Sequence, residues 1–133
     1  MSGETNLEKL LNALSPHLLN GEYVFCTLPD SVYGDFADAT PVASFSEPEG
    51  LTLVLLKEAA ERHNLPYQSV FRCITLRVHS SLEAVGLTAA VSGKLSEDGI
   101  GANIIAAYFH DHVFVPSHAA KKALKLLAEF GAD

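Results

Sequence analysis

Gly86 and Gly99 bracket a helical stretch that lies between two apolar strands, and this bracket sets the outline of the chain. The run is HSSLEAVGLTAAVSGKLSEDGIGANI, residues 79–104. It leaves SVFRCITLRVH, where Ile74, Leu76 and Val78 alternate with Cys73, Thr75 and Arg77. A period of two marks a strand. Within the run, Leu87, Val91 and Leu95 are spaced by four with Ala90 beside them, which makes one helical stripe. Gly93 weakens that helix somewhat, and Gly99 is placed to end it. The chain then re-enters an apolar strand, ANIIAAYF, followed by HVFV after a tight turn near His110-Asp111. Ser117, after Pro116, is a natural N-cap. The helix that follows puts Ala120, Ala123, Leu124, Leu127 and Phe130 on one face, and Gly131 stops it.

The first half has a similar order. Residues 6–19 predict a short helix with Leu7, Leu10, Leu11 and Leu14 on one side, ended or kinked by Pro16. EYVFCTL is rich in aromatic and branched residues and reads as a strand. PDSVYGDFADATP, residues 29–41, is a loop with at most one helical turn. VASFS and LTLVLL are strands about an EPEG turn, and KEAAERHN is built of good helix formers. Strands are thus expected near 22–28, 42–46, 51–56, 71–79, 103–109 and 112–116. Both halves can be laid on β-α-β-β-α, the first with its first helix shrunk, so the order of elements suggests an internal repeat. This pattern predicts an α+β fold of ferredoxin-like βαββα repeats, with antiparallel sheets covered on one face by helices. The expected division is residues 1–68 and 69–133.

Composition narrows the function. The net charge is −7, and Lys and Arg form no patch beyond Lys121, Lys122 and Lys125 on one helix. Nucleic-acid binding needs concentrated positive charge, so it is set aside. No apolar run reaches the roughly 18 residues of a membrane span, so no membrane insertion is expected. The N-terminus has no basic segment followed by an apolar block, so it does not read as a secretory signal and the cytoplasm is the expected compartment. Cys26 and Cys73 sit inside apolar strands as small buried hydrophobes.

The stretch VGLTAAVSGKLSEDGIGANIIAAYFHDHVFVPSHAAKKALKLL resembles an ACT domain, a regulatory module of amino-acid metabolism. The matching features are Gly86 at the helix start, the small-residue helix 87–98, and Gly99 before the second strand. Asn103-Ile104 opening that strand and the closing VFVPSHAAKKAL also match. The layout is similar to the paired ACT part of aspartate kinases, and the whole chain resembles small stand-alone bacterial proteins with two ACT-like halves. The sequence departs from the pattern where GIGAN inserts residues, and only Gly131, Ala132 and Asp133 follow the last helix, too few for a fourth strand. An unpaired sheet edge invites another chain, so a homo-oligomer is expected, with the ligand loop close to the contact.

The resemblance points to the loop before the helix. Free amides at a helix N-terminus attract anions, and Gly86 and Leu87 would supply them, with Thr88. Ser80 and Ser81 offer hydroxyl donors and Asn103, followed by Ile104, offers an amide. Glu83 would repel a simple anion but pair with an ammonium group. An α-amino acid, or a similar small polar ligand, carries both charges. The same residues also fit a plain turn, with a serine capping locally, Glu83 solvated and Gly86 turning the chain. The equivalent loop of the first half offers Asp30, Ser31 and Tyr33 as a weaker second site.

His110, Asp111 and His112 invite a metal, with His118 the nearest addition, but no ligand spacing supports one and a polar hairpin tip is the expected role. Histidines there could also tune a subunit contact with pH. Neither a Gly-x-Ser-x-Gly elbow nor a Walker phosphate loop occurs. No catalytic residue, metal or cofactor is therefore expected. The leading expectation is a non-catalytic, amino-acid-binding regulatory protein. The alternative is an interaction subunit of a metabolic or transport complex that binds no ligand.

Overall fold

Asn6 starts the first helix by accepting the Lys9 amide on its side-chain oxygen at 3.0 Å. The computed structural model describes residues 3–131. This helix, α1, spans Leu7–Asn12 and is shorter than the sequence predicts. The Ala13 amide closes on the Lys9 carbonyl, and Ser15 takes a left-handed φ of 48°. Pro16 disfavours the right-handed helical conformation at Ser15 and has no amide to continue the ladder. Pro16–Leu18 form a strand instead, β1.

The chain contacts gather residues 3–20 and 72–131 into one compact unit and 21–71 into another, whereas the repeat in the sequence divides near residue 68. In the 21–71 unit, β2 (Tyr23–Leu28) runs antiparallel to β4 (Gly50–Leu56), and β4 to β3 (Ala43–Glu47). Val24, Cys26 and Leu28 stand opposite Leu55, Leu53 and Leu51, and all six are buried. The period of two thus gives one apolar sheet face. α2 (Lys57–Arg62) contributes Ala59 and Ala60 to the same core. It stops two residues short of the expected end because Asn64 turns left-handed, which returns Leu65 to the core. The shrunken first helix is a three-residue 3-10 turn, Ala37–Ala39.

The other unit holds β5 (Phe71–Leu76, from Arg72 onward), α3 (Leu87–Ser96), β6 (Asn103–Ala106), β7 (Asp111–Pro116) and α4 (Ala120–Ala128). Its sheet order is β1-β5-β7-β6, with β1 antiparallel to β5 and β6 antiparallel to β7. Pro16–Leu18 therefore occupy the fourth-strand place beside β5 in this sheet. Leu87, Val91 and Leu95 of α3 are buried as the spacing predicts, with Ala120, Ala123 and Leu127 of α4. They enclose Ile74, Leu76, Val113 and Val115 of the sheet together with Leu10 and Leu14. Leu124 and Phe130 lie at the margin of this core, half-buried.

Three boundaries differ from the sequence reading here, the first being β5, which ends at Leu76 rather than near residue 79. β6 ends at Ala106, so Tyr108 and Phe109 sit in the hairpin turn and are exposed; the Ala107 amide bonds the His110 carbonyl across it at 3.0 Å. Ser117 begins a 3-10 turn, which leaves Ala119 at the N-cap of α4. The fold is α+β and ferredoxin-like, as expected.

Candidate functional site

The link from β5 to α3, residues 77–86, is held from the N-terminal segment. The Glu4 amide donates to the His79 carbonyl and the Ser81 amide to the Glu4 carbonyl, both at 2.9 Å. Glu4 is thereby bridged to Ser80 as a single parallel strand pair. Ser80 and Ser81 are consequently buried. The Ser81 hydroxyl oxygen accepts the Glu83 amide at 3.1 Å, and its carbonyl accepts the Ala84 amide at 3.0 Å. So the local turn that the sequence allows is present at Ser81. Its O–H remains a donor.

Gly86 is the N-cap of α3 with a φ of 97°, which glycine adopts without strain. A Cβ there would come within 3.1 Å of Leu7. Having no side chain, Gly86 cannot cap the helix, and the first turn carries no acidic residue. The first amides of α3 therefore face outward with the positive end of the helix dipole.

These groups border a hollow of about 560 Å³. Ser80, Ser81 and Leu82 line it from the loop, Gly86 to Ala89 from the helix start, and Ala106 and Asp111 from the hairpin. Of the residues singled out in the sequence, Ser80, Ser81, Gly86 and Leu87 come together here. Glu83 is exposed and does not line the hollow. Asn103 and Ile104 open β6, three and two residues before Ala106, and neither lines the hollow. The carboxylate in the hollow is that of Asp111, which the sequence reading placed at the hairpin tip. Its position depends on the register that sets Asp111 opposite Ala106.

Asp111 is 8% exposed. Burial pushes its carboxyl above the ordinary value, against an opposing pull from His112 and His110. The folded state thus holds this proton more tightly than the unfolded chain. That contribution favours folding below the ordinary carboxylate pKa and is lost as pH rises through the folded value. At neutral pH the ionised group weighs against folding, so Asp111→Asn is expected to raise the thermal midpoint of the ligand-free protein. A lowered midpoint in calorimetry would contradict this.

His112 is shifted the other way, downward, first by burial and then by His110. Its Nδ1 lies 3.0 Å from the Thr75 hydroxyl. The unfolded chain takes up this proton first, so stability falls as pH drops below about 6.5 toward the folded value. His112→Gln is expected to flatten that limb of a stability profile between about pH 7 and 5; an unchanged slope would show that other groups set it. His110 is engaged separately, its Nδ1 3.4 Å from the Val78 carbonyl oxygen. Among the described residues no three His, Cys, Asp or Glu side chains are placed to hold a metal ion.

The first-half loop is arranged differently. The Ser31 amide bonds the Leu28 carbonyl, and the Asp35 carboxylate accepts the Val32 amide at 2.9 Å. Asp30 and Tyr33 are exposed, and only the short 3-10 turn follows. This loop presents no α-helix N-terminus.

The unit of residues 3–20 and 72–131 is thus ferredoxin-like and carries an uncapped, glycine-started helix beside a hollow. The chain belongs to the ACT domain family: ACT domain profiles match residues 2–72 and 68–129. Among solved structures it is 52% identical to a Vibrio cholerae protein of unknown function described as a possible transport protein. That likeness covers 98% of this chain and 99% of the other, with a TM-score of 0.86. An Agrobacterium tumefaciens protein is 23% identical over 87% of each chain, with a TM-score of 0.71. The ligand-free regulatory subunit of aspartate kinase from Thermus thermophilus shares the fold at 12% identity, with a TM-score of 0.61 over 88% of this chain and 97% of that one. No match was found among curated proteins. ACT domains are commonly small-ligand regulatory domains and are themselves non-catalytic. No helix among the described residues is long and apolar enough to cross a membrane.

Proposed function

We propose that this protein is a non-catalytic regulator that binds a small α-amino acid in the hollow at the start of α3. The observation that carries the reading is one hollow bordered by both an uncapped helix N-terminus and a buried carboxylate. The ligand carboxylate would take the first amides of α3 and the Ser80 and Ser81 hydroxyls. Its ammonium would face the acidic side of the hollow. The loop of Asp30, Ser31 and Tyr33 has no part in this reading.

The protein would act in the cytoplasm as a homo-oligomer, since ACT domains typically oligomerise. A ligand then reports its presence through its differential affinity for two assembly states. A second reading, an interaction subunit without a ligand, is favoured by the exposure of Leu82, Val85, Tyr108 and Phe109 on the same unit.

Thermal unfolding against the full set of amino acids separates the two. Binding at 100 times Kd stabilises by about 2.7 kcal/mol, so one chemical class should raise the midpoint with concentration. A flat response to every amino acid at millimolar concentration would reject the regulatory reading and leave the interaction subunit.

A further inference from the structure

We infer that Asp111 reads the ligand's ammonium group and that the hollow selects an α-amino acid with an uncharged aliphatic side chain over acidic and basic ones. This rests on the amino-acid reading above and specifies which amino acids the site takes.

Three observations lead there. Asp111 is more than nine-tenths buried and lines the hollow, yet no hydrogen bond reaches its carboxylate among the described residues. His112 and His110 act on its charge from nearby, but a largely buried carboxylate that accepts no hydrogen bond is still costly, and a charge-assisted donor relieves that cost. Its two histidine neighbours are already engaged, His112 with Thr75 and His110 with the Val78 carbonyl. The hollow is the side from which a ligand's donor can reach the carboxylate.

The second observation is the charge pattern. The lining contains no Lys, Arg or His, and Asp111 is its single carboxylate. An acidic ligand side chain would meet Asp111 with no cation to balance it. A basic side chain would compete with the ammonium for that carboxylate. Either way one ligand charge stays desolvated and unpaired, which binding strongly disfavours.

The third is what remains. Apart from the two serines, Thr88 and Asp111, the side chains bordering the hollow are apolar, among them Leu82, Val85, Leu87 and Ala106. The uncapped amides of α3 take the carboxylate, Asp111 takes the ammonium, and an aliphatic side chain meets the apolar wall. The amide end and the acid end also fix the ligand's direction, which a phosphate or a simple carboxylate would not satisfy.

The test is calorimetric titration of the full chain with leucine, valine, alanine, aspartate, glutamate and lysine, and with 4-methyl-2-oxopentanoate, which lacks leucine's ammonium. An aliphatic amino acid should bind, and the oxo acid should bind at least about tenfold more weakly, as loss of a hydrogen bond to a charged group implies. Asp111→Asn should weaken the amino acid by about 10- to 100-fold and leave the oxo acid unchanged. Val85→Lys, at a lining position that is 83% exposed, should shift preference toward aspartate and glutamate without disturbing the core. Equal or tighter binding of aspartate or lysine by the wild type would overturn the inference while sparing the amino-acid reading. So would an Asp111→Asn variant of unchanged leucine affinity. Failure of every amino acid to bind would remove the amino-acid reading itself, and this inference with it.

Discussion

Leu95→Ala and Leu127→Ala are each expected to lower the unfolding free energy by about 2–5 kcal/mol. Both side chains are fully buried and belong to one core, Leu95 from the last turn of α3 and Leu127 from α4. Each truncation removes apolar surface from burial and leaves a cavity that the surrounding sheet and helices close only in part. Because the two share a core, the double variant should depart from additivity. Leu82→Ala is the control: Leu82 is 63% exposed, so its change should fall within about 0.5 kcal/mol. The chain has no tryptophan, and Tyr23, Tyr33 and Tyr67 lie in the 21–71 unit. Urea unfolding is therefore best followed by circular dichroism, with amide exchange at Val91 and Leu95 as the local readout. A loss below about 1 kcal/mol for either leucine would show that the helix does not bury it.

The same leucines show why much of this fold was legible. Leu87, Val91 and Leu95 repeat at helical spacing over a sheet strand that alternates, and each period names its partner surface. Val24, Cys26 and Leu28 against Leu55, Leu53 and Leu51 read the same way. Periodicity fails where an element is too short to have one. β1 is three residues long, begins at a proline and owes its strand conformation to β5, so the leucines before it predicted only a helix. Tyr108 and Phe109 have strong strand preference, yet the pairing of Ala106 with Asp111 puts them in the turn.

The candidate site divides along the same line. Ser80, Ser81, Gly86 and Leu87 are consecutive with the helix start, and glycine at that point signals both a turn and an uncapped terminus. Asp111 is remote in sequence and reaches the hollow only through hairpin register. Glu83 is the nearer carboxylate in sequence, but the turn at Ser81 leaves it exposed. The support from Glu4 is main-chain pairing, which no side-chain pattern announces.

Removing residues 1–20 is expected to abolish the fold of the unit that carries the candidate site. That deletion takes away Leu10 and Leu14, which are 0% and 1% exposed. Burying a leucine is worth about 1.5–3 kcal/mol. It also strips β1 from β5 and Glu4 from the Ser80 loop. The combined loss is comparable with the roughly 5–15 kcal/mol that holds a small domain together. The sequence repeat suggests residues 69–133 as a separate ACT domain, and the matched profile spans 68–129. Contacts instead give that segment a share of its core, and its fourth strand, from residues 10–18. A fragment of residues 69–133 should therefore show collapsed but unprotected helices, with rapid amide exchange at Val91, Leu95 and Leu127. The Leu10→Ala, Leu14→Ala double variant of the full chain should move the same amides partway toward that behaviour, because it removes the buried side chains and keeps β1. If the 69–133 fragment instead unfolds cooperatively with protected α3 and α4, residues 1–20 only decorate a domain that closes without them.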